Sequence, residues 1–313
     1  MTNAIELQNV VKSFGAKRAV DGVSFSIPEG SVFGLIGPNG AGKTTTFSML
    51  AGYLEPTEGT ARVLGAEPTD VGALKGRLGV LPQDALLPAN EPAGSFLLYL
   101  ARMQGISASA AEPAVRKALE TVGGAEWWSV ECKKLSHGMA KRVGIAQALL
   151  GDPKVVLLDE PTAGLDPKVA FGVRQVIKGL TGKCTVVISS HNLQELEEIC
   201  DRAAILDRGK LVAHGTMSEL TANNREFTIE LAPTSPEHAM RGSVPFAEVV
   251  RAIAGVTSVQ FDGATGRMLV MHDTSQDPDA IVAYALRALL DNGARVRGLS
   301  RGRSLEQRVM ELT

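Results

Sequence analysis

An α/β fold follows from three features of the sequence. Short apolar runs rich in β-branched residues alternate with helical patterns over the first two thirds of the chain. A long helical stretch, about residues 92–150, interrupts that alternation. From about residue 225 the order becomes strand, helix, strand, strand, helix, strand. Together they predict a mainly parallel sheet with an α-helical insertion, followed by a C-terminal α+β unit of ferredoxin-like order. The expected division is residues 1–222 and 225–313.

In chain order, IELQNVV (5–11) and VSFSI (23–27) alternate as half-buried strands do. VFGLI (32–36) is nearly continuous in apolar residues and suits a strand covered on both faces. A glycine-rich loop and a helix, Lys43 to Ala51, follow it. GSFLLYLARMQ, EPAVRKALETV and KRVGIAQALL supply the inserted helices. Val155–Leu158 and Thr185–Ser189 are further buried strands, each leading through polar residues into a helix. Residues 203–215 predict a hairpin through Asp207-Arg208-Gly209. In the last segment, strands are expected at 226–231, 256–261, 267–272 and 294–299. Helices are expected at 245–253, 278–290 and 304–312, with a loop over 232–244.

The 313 residues are ample for a buried core and suggest about two domains at roughly 100–200 residues each. Hydrophobic residues make up 44% and charged residues 21%, the balance of a globular chain. The net charge of −2 argues against a protein built mainly to hold nucleic acid. The longest apolar run, Ala280 to Leu286, falls far short of the roughly 20 residues of a membrane-spanning helix. The N-terminus shows no basic segment leading into an apolar stretch, so no secretory signal is expected. Cys132, Cys184 and Cys200 are too few and too scattered for a disulfide scaffold, and fit packing roles in a reducing cytosol.

Gly37-Pro38-Asn39-Gly40-Ala41-Gly42-Lys43-Thr44 matches GxxxxGK[ST] between a buried strand and a helix. Glycines let the backbone wrap closely and aim N–H groups at phosphate oxygens, and the helix N-terminus adds positive partial charge. Lys43 would pair with β- and γ-phosphates, and the Thr44 hydroxyl would ligate Mg²⁺. A ligand-free glycine turn needs neither that lysine nor that threonine. The loop alone leaves kinase, GTPase, helicase and transporter ATPase open.

Val155-Val156-Leu157-Leu158-Asp159 ends an apolar strand on a carboxylate, a Walker B pattern in which Asp159 would hold Mg²⁺. Glu160 directly follows and is placed to polarise water. Upstream, Leu135-Ser136-His137-Gly138-Met139 runs into a helix with Ser136 as N-cap, which reads as an ordinary capped helix or a second anion site.

With these motifs in order, the chain resembles the nucleotide-binding subunit of an ATP-binding cassette (ABC) transporter. LSHGM resembles the signature loop LSGGQ. Pro161-Thr162-Ala163-Gly164-Leu165-Asp166-Pro167 resembles the D-loop. His191 matches the switch histidine, Gln83 in GVLPQD the Q-loop glutamine, and Phe14 the aromatic that stacks on adenine. The resemblance spans residues 5–222. It implies a P-loop NTPase core with a mainly parallel sheet, an antiparallel β subdomain and the helical insertion.

The resemblance also implies ATP and Mg²⁺ as ligands, and roles for the residues. Phe14, Val20, Gly37, Asn39, Gly40, Ala41, Gly42, Lys43, Thr44 and Thr45 would hold nucleotide, with Asp159 nearby. Thr44, Gln83 and Asp159 would serve the metal, and no other metal is expected. Glu160, His191 and Gln83 would serve hydrolysis. Two such subunits face each other head to tail in the family, so Ser136 and Gly138 would touch the γ-phosphate bound by the partner, and Asp166 would bridge the halves. The implied partners are a second subunit, expected to be identical, and a separately encoded membrane permease. The implied location is the cytoplasmic face of the membrane.

His137 and Met139 depart from the signature pattern. Methionine there resembles exporter-type subunits. The histidine either points away from the nucleotide or crowds it. SRGRSLEQRVMELT, with Leu305-Glu306 and Val309, resembles the small domain that closes many ABC-2-type export ATPases, which points to export. An ABC ATPase of translation or DNA maintenance would carry tandem cassettes or a long coiled coil, and neither is present. A regulatory module with little turnover is motivated by His137 and opposed by Glu160 and His191.

Plainer readings accompany several residues. Phe14 reads alternatively as a turn aromatic on the sheet. Of Trp127 and Trp128, one is expected in the core and one exposed. His214, His238 and His272 read as structural. Arg295, Arg297, Arg301 and Arg303 read as a solvated face, or as a contact for anionic lipid or an acidic partner.

Overall fold

The structure is a computed structural model that describes residues 2–221, 226–232, 246–273, 276–301, 305 and 309. The chain divides into two compact units, Met1–Leu220 and Thr221–Met310.

In the first unit, β3 (Val32–Ile36), β6 (Val155–Asp159) and β7 (Thr185–Ser189) are buried at every position. Continuous apolar side chains suit strands covered on both faces. They form the middle of a sheet ordered β5-β6-β7-β3-β8-β9, with β5 at Leu78–Leu81, β8 at Arg202–Asp207 and β9 at Lys210–Thr216. Pairing is parallel from β5 through β8 and antiparallel between β8 and β9. Arg208 and Gly209 turn that hairpin at φ 46° and 82°, the paired positive values of a type I′ turn.

A second sheet, ordered β2-β1-β4, is antiparallel: β1 is Asn3–Phe14, β2 Lys17–Pro28 and β4 Glu58–Val63. Its inward residues Ile5, Leu7, Val23 and Phe25 join Phe33, Leu35, Leu157 and Val187 in one core. Phe25 and Phe33 stack with centroids 5.4 Å apart. Each such fully buried side chain contributes about 1.5–3 kcal/mol. β1 and β2 extend beyond 5–11 and 23–27 because polar residues such as Lys12, Ser13, Lys17 and Arg18 break the apolar pattern while the backbone ladder continues.

Helices α1 (Lys43–Leu50) and α2 (Val71–Leu74) precede the insertion. The insertion comprises α3 (Ala93–Met103), α4 (Ala108–Thr121) and α5 (His137–Ala148), joined through 3₁₀ turns at Ala125–Ser129 and Cys132–Lys134. α3 buries Ala93, Leu97 and Ala101, and α4 buries Ala111, Val115, Ala118 and Leu119, the three-to-four spacing of one helix face. Trp127 is buried, while Trp128 is half-buried under the Arg116 guanidinium, 4.2 Å from its ring. α6 (Pro167–Lys178), α7 (Leu193–Ile199) and α8 (Met217–Thr221) follow the later strands. All three cysteines are free and buried, and burial pushes the Cys184 thiol up to about 11.

The second unit runs β10 (Glu226–Leu231), α9 (Phe246–Arg251), β11 (Val256–Asp262), β12 (Arg267–His272), α10 (Pro278–Asp291) and β13 (Val296–Arg301). Its antiparallel sheet is ordered β11-β12-β10-β13, a ferredoxin-like arrangement around Phe227, Ile229, Met268, Val270, Ala285 and Leu289. His272 is buried beside Phe227, with its ring centroid 5.9 Å away, and His214, Arg295 and Arg297 are exposed. All but the first residue of the expected loop over 232–244, with His238, Arg303 and most of the expected helix at 304–312, lie outside the described residues. Leu305 and Val309 are described, and both are helical and buried.

Candidate active site

Register places the site. Leu35 of β3 and Asp159 of β6 both align with Ser189 of β7, so the loops leaving these three strands converge at one end of the sheet. Ligands of open parallel sheets collect at this carboxyl end.

The loop after β3 wraps tightly. Gly42 sits at φ 99°, and a Cβ there would lie 2.6 Å from the Ala19 carbonyl and 3.4 Å from Val20 Cγ2. Only glycine fits that approach, and buried Val20 packs directly behind the loop. Gly42 caps α1 with no side-chain acceptor, which leaves first-turn N–H groups for a ligand. Lys43 is buried, and its Nζ donates to the carbonyls of Gly37 at 2.6 Å and Pro38 at 3.1 Å. Burial holds its ammonium below the usual lysine range, with Glu160 and Asp159 opposing that shift. Pro38, Asn39, Gly40 and Thr44 are exposed at the mouth, Thr45 is half-buried, and Gly37 and Ala41 are buried beneath.

Across the site, the Ser189 hydroxyl donates to Asp159 Oδ1 in a short hydrogen bond. Desolvation lifts the Asp159 carboxyl above its ordinary range. The Ser189 hydrogen bond counters the shift, Glu160 adds to it, and Lys141 and Lys43 oppose it. Glu160 adopts φ 48°, a left-handed conformation rare for its type. Its N–H reaches both the Ser189 carbonyl at 3.1 Å and the Ser189 hydroxyl at 3.2 Å, which fixes this turn. Its carboxylate Oε2 lies 2.9 Å from His191 Nδ1, and the His191 ring is mostly exposed. Lys141 of α5 donates to the Gln83 carbonyl at 3.3 Å. Burial lowers the Lys141 ammonium as well, against the pull of Asp159, Asp84 and Glu160.

The expected residues thus divide. Lys43, Asp159, Glu160 and His191 share one site. Gln83 is exposed at its edge. Phe14 ends β1, half exposed, with Lys12 Nζ 5.5 Å from its ring. Ser136 caps α5 by accepting from the Met139 N–H at 3.3 Å and is otherwise exposed. Gly138 is buried against Val169, and Asp166 caps α6 by accepting from the Val169 N–H at 3.1 Å. Among the described residues, no hydrogen bond joins Ser136 or Asp166 to the phosphate loop. His137 leans its Nε2 towards Gly164, 3.4 Å from where a Cβ there would stand, and so lies over the loop after β6. Ser189 and Lys141 were not singled out by sequence reasoning. Ser189 was detectable as the hydroxyl that ends an apolar strand one step before Ser190-His191.

Oxygen donors from Thr44, Asp159 and Gln83 suit a hard divalent cation such as Mg²⁺. The partly desolvated Lys43 ammonium and free helix N–H groups suit a polyphosphate.

The sequence profile described as ABC transporter matches residues 20–163. The chain is 33% identical to the linearmycin resistance ATP-binding protein LnrL of Bacillus subtilis (strain 168), over 82% of this chain and 81% of that one. It is 37% identical to the Nod factor export ATP-binding protein I of Paraburkholderia xenovorans (strain LB400), over 80% and 87%. The daunorubicin/doxorubicin resistance ATP-binding protein DrrA of Streptomyces peucetius is 36% identical, over 71% and 68%. Among solved structures, an ATP binding subunit of an ABC transporter superposes with a TM-score of 0.62 at 27% identity, covering 70% of this chain and 92% of that one. CbiO1 of Clostridium perfringens, part of the transporter complex cbiONQ, gives 0.65 at 24% identity over 71% and 92%, a likeness of fold alone.

Proposed function

The chain belongs to the ABC transporter family, as an ATP-binding subunit that hydrolyses ATP, and on that premise we propose that two copies close head to tail around ATP and Mg²⁺ to drive export through a separately encoded permease. The observation that carries this reading is the division of the site. One copy holds the phosphate loop, Asp159, Glu160 and His191 together, while Ser136 sits exposed at a helix start with no bond to that loop. A second copy turned head to tail brings Ser136 and Gly138 to the open side of the phosphates, and Asp166 to the seam.

Within each half, Lys43 and the first turn of α1 hold the phosphates. Phe14 offers an aromatic face for adenine at the end of β1. Thr44, Asp159 and Gln83 would hold Mg²⁺, which when bound neutralises phosphate charge. Glu160 accepts the proton of the attacking water, and His191, 2.9 Å away, orients that carboxylate and faces the γ-phosphate. Preorganised charge lowers the barrier, and no covalent intermediate is needed.

Export is supported by the relatives: LnrL and DrrA are resistance ATP-binding proteins, and the Paraburkholderia relative is a Nod factor export ATP-binding protein. A permease contact is supported by a groove of about 400 Å³ lined by Val71, Leu74, Leu78, Leu100 and Met103. Val71 and Met103 are exposed there at 74% and 61%, an unusual display of apolar surface. β5 leads from this groove towards Gln83, which links docking to the site. Among the described residues no helix is long and apolar enough to cross a membrane, so the permease would provide attachment at the cytoplasmic face.

Lys43→Ala tests the reading, because it removes the cation that meets the phosphates. Titration with a fluorescent ATP analogue should show affinity falling at least about tenfold, the scale of a lost charge-assisted contact. Co-expression with a candidate permease, a polytopic membrane protein, should yield a complex whose ATP-driven export this variant abolishes. Unchanged affinity, or undiminished export, counts against the proposal.

A further inference from the structure

Two chain segments carry the reacting pair, and each turns away at once. Glu160 is followed by Pro161 and Thr162, and His191 by the cap Asn192 and the first turn of α7. Their contact at 2.9 Å is exposed on the histidine side, and Glu160 stands in a left-handed conformation. An exposed contact between two loops does not by itself hold both in place.

A second contact joins the same two segments just behind the first. The hydroxyl of buried Thr162 donates to Glu195 Oε2 at 2.5 Å. Arg174 of α6 donates from Nη1 to the other oxygen, Glu195 Oε1, at 2.8 Å. Arg174 Nε lies 3.0 Å from Glu198 Oε2, so the guanidinium is held between two carboxylates of α7. The Glu195 N–H is fixed in turn by the Asn192 side chain at 3.2 Å. Arg174 and Glu195 are nearly buried, with side-chain exposures of 14% and 15%. Hydrogen bonds to an ionised acceptor shielded from water are short and directional. Arg174 therefore aims Glu195, and Glu195 pins Thr162, two residues beyond Glu160.

We infer that Thr162 and Glu195, oriented by Arg174, are positioning residues that clamp the Glu160 loop to the His191 loop and so hold the Glu160 carboxylate on line for water. The inference rests on the role given to Glu160 above. The clamp bonds join Thr162, Arg174, Glu195 and Glu198, none of them in the phosphate loop, so their loss acts on turnover and not on ATP binding.

The test compares Thr162→Val, Thr162→Ser, Glu195→Gln and Glu160→Gln in the full chain, assayed with its permease. Thr162→Val removes the donor at constant volume, and Thr162→Ser keeps it. Thr162→Val should lower kcat about tenfold or more, because small misplacements of a catalytic group are costly. The KM for ATP and the thermal midpoint should stay close to those of the wild type, and Thr162→Ser should restore kcat. Thr162→Val turning over at the wild-type rate overturns the clamp. So does a loss of kcat that tracks a loss of ATP affinity or of thermal stability, or one that Thr162→Ser does not restore. If Thr162→Val does not fold, Glu195→Gln decides: reduced kcat at unchanged KM supports the clamp, and unchanged kcat overturns it. Full activity in Glu160→Gln refutes the reading of Glu160 instead, a separate and recognisable outcome.

Discussion

Asp159 shows what the proposed phosphate and metal site would cost the fold before its ligands arrive. Its carboxyl is buried, and desolvation raises it above the ordinary 3.8 despite the Ser189 hydroxyl and two lysines. A carboxyl with a raised folded value takes up its proton in the folded state first. Its contribution to stability is therefore fully present below the unfolded value and is lost as pH rises through the folded value. At neutral pH the charged form opposes folding, and function maintains it. Asp159→Asn keeps the shape and an acceptor for Ser189 but carries no charge. Without nucleotide, this variant should melt higher than wild type at pH 7. The gap should shrink as acid protonates Asp159 and vanish once pH is below the unfolded value. Hydrolysis should be lost throughout. Thermal melts of both proteins across pH 3.5 to 8 decide it, and a variant less stable than wild type at neutral pH would refute the argument.

At the scale of elements, α5 and α6 carry the caps Ser136 and Asp166, and their approach rests on one missing methyl. A Cβ on Gly138 would stand 2.4 Å from Val169 Cγ1, far inside the van der Waals contact of two non-bonded carbons. Alanine has the better helix propensity, by about 1 kcal/mol. Overpacking at a closed helix contact costs about 1–3 kcal/mol, so the clash wins. Gly138→Ala should lower the thermal midpoint, and adding Val169→Ala should recover most of it. Failure of the second change to recover stability would show that the contact is not limiting. The sequence announced these helices differently from the strands. β3, β6 and β7 were legible almost to the residue, because strands covered on both faces are unbroken apolar runs with sharp ends. β4 was not legible, because four of its six residues are exposed and only Ala61 and Val63 face the core. In the site, Lys43, Asp159, Glu160 and His191 were readable from local motifs. The Ser189–Asp159 and Thr162–Glu195 bonds were not, because their partners lie 30 and 33 residues apart and meet only through sheet register and helix packing. The lean of His137 over Gly164 likewise depends on how two loops meet.

For the whole molecule, the decisive question is whether one chain completes its site through a second copy, as proposed above. The phosphate-side residues are gathered at the carboxyl end of one sheet, while Ser136 opens α5 towards solvent. The two-fold arrangement proposed above would repair both halves at once, since each copy would give what the other lacks. ATP then acts as part of the interface. In that arrangement its γ-phosphate would meet both the phosphate loop and the facing helix start, and ligand bound only by the closed pair would shift the equilibrium towards that pair. Hydrolysis removes the shared group, so a variant that binds but cannot cleave should accumulate the closed form. Glu160→Gln is that variant, because it removes the carboxylate facing His191 and leaves Lys43, Thr44 and Asp159 untouched. With ATP and Mg²⁺ it should elute and scatter light as a dimer of the 33.0 kDa chain, and with ADP it should return to a monomer. Ser136→Ala in the same background should weaken the dimer, because the facing hydroxyl is lost. A Glu160→Gln protein that stays monomeric at saturating ATP would refute the head-to-tail arrangement. One that is dimeric without nucleotide would show a pairing that ATP does not control.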